Sequence, residues 1–226
     1  MPAFAISLTL GSYQLGRWLQ RRCRGNPIVN PVLISILFIG GFLRLTGTSY
    51  ETYFDGAQFI HFMLGPATVA LAIPIIHNLE RLRGMRVAVL AGIVIGSLVS
   101  AVSGIGLVEL FGGSRAVAVS MAPKAATTPI AIGVSQSLGG IPSLSAVLAI
   151  ASGILAAVSM EFLLGLIKVR DWRPLGLAAG TAGSGIGAAR AISIHETAGA
   201  FAGLAVALNG LTTALLVPVL VHFWPK

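Results

Sequence analysis

Charge is scarce in this sequence. Of 226 residues, 15 are Lys or Arg and 7 are Asp or Glu, so charged residues make up 10% of a chain that is 55% hydrophobic. With a mean hydropathy of +0.89, this excludes an ordinary soluble globular protein and makes the bilayer the expected solvent. No polar stretch is long enough for a second folded unit, so one membrane domain is expected. The single cysteine, Cys23, excludes an internal disulfide and a thiolate metal cluster. The few carboxylates form no catalytic pair. His61, His77, His195 and His222 form no ligand pair at helical spacing, and no nucleophile elbow, cofactor motif or metal site is present. An enzyme is not expected, nor a cofactor. The net charge of +8 sits in short clusters without an aromatic–basic platform, which argues against nucleic acid.

What is present is a series of apolar runs. A spanning helix needs about 20 mostly apolar residues, and that length picks out 3–19, 28–46, 58–77, 87–110, 143–167, 174–194 and 197–222. Residues 115–138 are left over. Eleven of the 15 basic residues lie in three connections and at the C-terminal end: Arg17, Arg21, Arg22 and Arg24; Arg81, Arg83 and Arg86; Lys168, Arg170 and Arg173; and Lys226. The positive-inside rule places these in the cytoplasm of a multi-pass inner-membrane protein. The N-terminus is then outside and the C-terminus inside. The first run, with its positive charges after the apolar stretch, reads as a retained span. Counting crossings leaves 115–138 to cross zero times or twice; 24 residues cannot cross twice, so a re-entrant, Pro-broken element buried in protein is expected.

The same count gives the halves 28–110 and 143–222 opposite orientations. The middle segment of each is irregular, with Gly65, Pro66 and Pro74 in one and five glycines from Gly176 to Gly187 in the other. Interrupted segments in inverted halves mark a transporter site near the midplane. Lys124 lies between Pro123 and Pro129. A lysine at the bilayer centre costs about 2.5 to 3.5 kcal/mol unless it is paired or hydrated. Thr127 and Thr128 add hydroxyls, and a half-helix beginning here would present free amides to an anion. Lys124 either cradles a carboxylate or pairs with a buried partner such as Glu161 or with freed carbonyls. Arg190 can grip a carboxylate with two parallel bonds; its alternative is a pair with Glu196. Glu161, inside an apolar span, is either a proton carrier or a structural partner.

Seven motifs point to a family. "NPVLIS" (30–35), "TGTSYETYFDGAQ" (46–58), "LGPATVALAIPII" (64–76), "APKAATTPIA" (122–131), "GGIPSLSAV" (139–147), "GTAGSGIGAARA" (180–191) and "ETAGAFAGLA" (196–205) resemble, in order, the LrgB/CidB family, which includes YohK-like proteins and the C-terminal part of the plastidal glycolate/glycerate translocator. The resemblance covers nearly the whole chain, as a single LrgB-like membrane domain. It implies a secondary transporter of small monocarboxylates of the glycolate, glycerate or pyruvate type; its older label is a holin/antiholin-like regulator of murein hydrolases and lysis. It also implies a small LrgA/CidA-type membrane partner, and the abundance of small residues suggests a homodimer. Carried over by motif, the site is Pro66, Lys124, Thr127, Thr128, Gly185, Gly187 and Arg190. The family usually has histidine where Ser184 stands, threonine at Ala188 and serine at Ala125; loss of the histidine bears on proton coupling and on substrate preference.

Overall fold

A computed structural model describes residues 2–23, 26, 29–63, 66 and 84–224. Its described residues form helices and no strands. Residues 1–70 and 71–226 form two compact units. Most of the expected span 58–77, with Gly65, Pro74 and His77, lies outside the described residues, as do Arg81 and Arg83.

The first unit holds α1 (Pro2–Arg22), α2 (Pro31–Thr46) and α3 (Tyr50–Phe62). Asn30 starts α2 by accepting from the amides of Val32 and Leu33 at 2.9 and 3.3 Å, with Pro31 in the first turn where no amide donor is needed. Gly47, at a φ of 66°, ends it in the left-handed conformation. α1 and α2 run antiparallel, because Gly16 lies on the backbone of Pro31 and Phe4 packs 5.9 Å from Phe42. Thr9 shares a 2.6 Å hydrogen bond with Tyr53, joining α1 to α3.

The second unit holds α4 (Arg86–Leu110), α5 (Arg115–Met121), α6 (Thr128–Ser137), α7 (Pro142–Leu166), α8 (Trp172–Ile194) and α9 (Glu196–Phe223). Among the described residues, α4, α7 and α9 are long and apolar enough to cross a membrane. Their outer faces carry exposed Ile95, Val99, Leu155, Phe162, Leu215 and Val219, an apolar surface of the kind that lipid covers.

α5 and α6 form a hairpin. The chain enters at Arg115, whose guanidinium donates to the carbonyl of Val221 near the end of α9 at 3.3 Å. It breaks at 122–127, where the Ala125 carbonyl meets Asn209 at the middle of α9. It then returns, so that Val134 and Leu138 pack with Ala118, Val119 and Val221. At about 1.5 Å per residue, the 10 residues of α6 reach about half of the roughly 30 Å hydrocarbon thickness.

α8 is a second hairpin, which corrects the reading of 174–194 as one span. Ser184 breaks it at φ 49°, ψ −140°. Gly187 then lies against the carbonyl of Ala179, eight residues earlier in the chain, and Trp172 stacks on His195 with ring centroids 4.9 Å apart. A straight helix of 23 residues would hold those ends about 35 Å apart. Small residues make the fold-back possible: Gly176 and Gly180 sit on the carbonyls of Ala198 and Ala202 in α9, a fit that any Cβ would prevent.

The two hairpins open in opposite directions. The first has its base at the C-terminal end of α9, the second at the N-terminal end. α7 runs from Ser145 beside Ser120 in the first hairpin to Glu161 beside Arg190 in the second; α9 runs back from Ala198 beside Gly176 to Val221 beside Arg115. α4 and α9 are parallel, through the packing of Ile93 with Ala205, the bond between Ser97 and Asn209, and the bond between Glu109 and Trp224. The expected opposite running of 87–110 and 197–222 is therefore corrected: without a crossing at 174–194, the count that places the C-terminus inside loses one step.

Candidate functional site

A cavity of about 380 Å³ touches both hairpins near their tips. Met121 and Lys124 come from the first and Ala182 from the second, while α4 supplies Ser100 and Ser103 and α7 supplies Leu148, Ala151, Ser152, Leu155, Ala156 and Ser159. Thus one ammonium and four hydroxyls face an otherwise apolar space. The three-donor head of a lysine and the hydroxyl rotors can converge on a carboxylate or a neighbouring hydroxyl.

Local structure explains why Lys124 stands there. Pro123 cannot extend α5 through its nitrogen, so the chain makes tight turns instead, Lys124 N–H donating to the Met121 carbonyl at 3.2 Å and Ala126 N–H to that of Pro123 at 2.9 Å. This carries the Lys124 side chain toward α4, where its Nζ donates to the Ser100 carbonyl and, at 3.1 Å, to the Ser100 hydroxyl. Gly104 makes the room: a Cβ there would lie 2.8 Å from Nζ. Hydrogen bonds to a charged group contribute about 1.5 to 3 kcal/mol each, enough to offset the insertion cost of one lysine.

Thr127 caps α6 from an extended backbone, yet its hydroxyl makes no capping bond. Its Oγ1 and that of Thr181 are buried without a hydrogen-bond partner among the described residues. Thr128 is the first residue of α6 and Pro129 the second, so the early amides of α6 are directed at the tip with the positive end of the helix dipole.

Other expected residues fall elsewhere. Arg190 grips Glu161 through Nε at 3.0 Å and Nη2 at 2.5 Å, which leaves the proposed Lys124–Glu161 pair unmade. Glu196 stands in the first turn of α9, exposed. Gly187 closes the second hairpin rather than facing a ligand, whereas Gly185 is open, with nothing within 4 Å of a Cβ placed on it. Ser184 is buried at the break. Pro66 is helical and exposed in the first unit, and its neighbours on both sides lie outside the described residues.

The sequence reading missed Asn209 and the serines. Asn209 is 1% exposed; its Nδ2 donates to the carbonyls of Ala125 at 2.9 Å and Thr181 at 3.1 Å, and its Oδ1 accepts from Ser97. An amide inside the apolar run "VALNGL" was the available signal. A second cavity, of about 510 Å³, lies among α1, α2 and α3 and is lined by Leu10, Tyr13, Ile39, Leu43, Tyr53 and others. Among the described residues its lining includes no charged side chain.

Comparison with known proteins agrees with the motifs. Residues 9–223 match the LrgB-like family. The chain is 32% identical over 222 residues to antiholin-like protein LrgB of Bacillus mycoides (strain KBAB4), covering 98% of this chain and 96% of the relative. Proteins of the same name from Bacillus cereus (strain B4264) and Bacillus anthracis (strain CDC 684 / NRRL 3495) match to the same extent. No solved structure matches. With a match along nearly its whole length and helices suited to a membrane, this chain belongs to the LrgB-like family of membrane proteins.

Proposed function

We propose that the second unit is a carrier for small monocarboxylates of the glycolate, glycerate or pyruvate type, holding the anion between the hairpin tips. One observation carries this reading: Lys124 reaches a hydroxyl-lined cavity that both tips border. Lys124 supplies the charge and the serine hydroxyls of α4 and α7 that line the cavity the remaining donors; Thr127 and the α6 amides, expected to join them, do not line it. Arg190, committed to Glu161, is a structural cation in this account. Substrate binding exchanges the Ser100 carbonyl for a carboxylate at the ammonium. Opposed hairpins around a midplane site are a geometry suited to alternating access.

The positive-inside rule sets the orientation. Arg173 and Met85, bonded at the base of the second hairpin, belong to the basic connections and so to the cytoplasmic side. The first hairpin then opens outward as a re-entrant element, and α9 ends outside, which revises the inside C-terminus expected from the linear count.

A second reading has its own support, and the names of the relatives favour it over transport: an antiholin-like membrane protein that regulates murein hydrolases, acting with an LrgA/CidA-type partner or as a homodimer. Counterflow of labelled glycolate and pyruvate in proteoliposomes separates the two. The carrier shows saturable uptake that Lys124→Ala lowers about tenfold to a hundredfold, the equivalent of one charged hydrogen bond. Unchanged saturable uptake in that variant would sink the site assignment, and a non-saturable leak that depends on assembly would favour the antiholin-like reading.

A further inference from the structure

The two hairpins and the helices that follow them share one spacing. Arg115 and Trp172, where they begin, lie 57 residues apart; so do Thr128 and Gly185, which open the second arms, Ser137 and Ile194, which end them, and Leu166 and Phe223, which end the following helices. The same shift carries Thr127, the N-cap of α6, onto Ser184, the break in α8. It also carries Ser152–Gly153 onto Asn209–Gly210. Since α7 and α9 run in opposite directions between the hairpin bases, residues 115–166 and 172–223 form an inverted pair. This boundary differs from that of the halves 28–110 and 143–222, which a linear reading of spans suggests.

In each copy the equivalent polar residue, at the middle of the long helix, reaches toward a tip. Asn209 donates both amide hydrogens, to Ala125 of the first tip and Thr181 of the second; Ser152 donates to the Ala182 carbonyl at 3.5 Å. A carbonyl released by a helix break has lost its intrahelical donor, and the bilayer interior offers no water in its place. Asn209 supplies that donor to both tips at once, while Ser97 occupies its oxygen. It stands behind the cavity and does not line it.

We infer that Asn209 is the positioning residue that holds the tips of both hairpins in one frame, so that the two sides of the Lys124 cavity keep their spacing and move together. This rests on the carrier reading only where it concerns uptake. The test uses the purified full chain with Asn209→Asp, which keeps the shape and loses the two donors, and with Asn209→Ser and Ser97→Ala as milder variants if the first does not fold. Hydrogen–deuterium exchange should rise about tenfold in both 121–128 and 180–187, the equivalent of one lost hydrogen bond, with 115–119 and 194–199 unchanged. Glycolate counterflow should show a raised KM with a smaller change in Vmax. Release of one tip alone, or a uniform rise along the chain, would overturn the assignment. Joint release of both tips in a protein that shows no wild-type counterflow would uphold Asn209 and remove the carrier reading instead.

Discussion

The two hairpins reach the same shape by opposite chemical means. The first is broken by proline: six non-helical residues, 122–127, include Pro123, Pro129 follows in the first turn of α6, and the break is wide enough to carry a lysine. The second turns at the single residue Ser184 and closes through glycine, with Gly187 on Ala179 within the hairpin and Gly176 and Gly180 on α9. Proline breaks a helix by removing a donor and clashing with the preceding turn; glycine permits a fold-back without demanding it. The proline-built tip therefore carries the charge, and the glycine-built tip supplies a closely fitted wall.

That contrast can be broken at its glycine end. Gly187→Ala drives a Cβ into the Ala179 backbone and should destabilise the second hairpin by about 1 to 3 kcal/mol, the range for overpacking. Gly133→Ala, in the first hairpin with nothing within 4 Å, should leave the melting temperature unchanged or raised. Equal losses from the two, measured by thermal melting in detergent, would remove the distinction.

Gly104→Ala addresses the first tip from α4, where the new Cβ would also press on the Met121 side chain at 3.1 Å. Its Cβ would meet the Lys124 ammonium, so saturable uptake should fall about tenfold, near the loss of one hydrogen bond, while thermal stability falls little. Gly106→Ala, two residues on and facing open space, is the control.

The smallest effect is expected at Ser184, whose φ of 49° lies where glycine is favoured over any side chain. Relief of such strain is worth about 1 kcal/mol, so Ser184→Gly should raise the melting temperature modestly. A fall would show that the Ser184 side chain holds the turn.

The first hairpin was legible in the sequence because prolines and a stranded lysine contradict a span, and crossing arithmetic then required a return. The second was not, since a run of 23 residues satisfies the length of a span whether it runs straight or folds on itself, although its composition keeps it out of the helices apolar enough to cross. Arg190 was legible as a costly charge but not as the partner of Glu161, because 29 residues separate them in the chain. Asn209 was hidden for the same reason: its partners, Ser97, Ala125 and Thr181, come from three other segments.

By itself, then, the sequence determined the solvent, the basic loops, the proline break and the family, all properties of composition and local order. Tertiary structure alone decided the direction of α9, the partner of each interior charge and the meeting of two tips at one amide. Hydropathy records only whether a segment prefers lipid to water; its path within the bilayer depends on which backbones approach closely enough to pack, and on which polar groups in distant segments satisfy one another there.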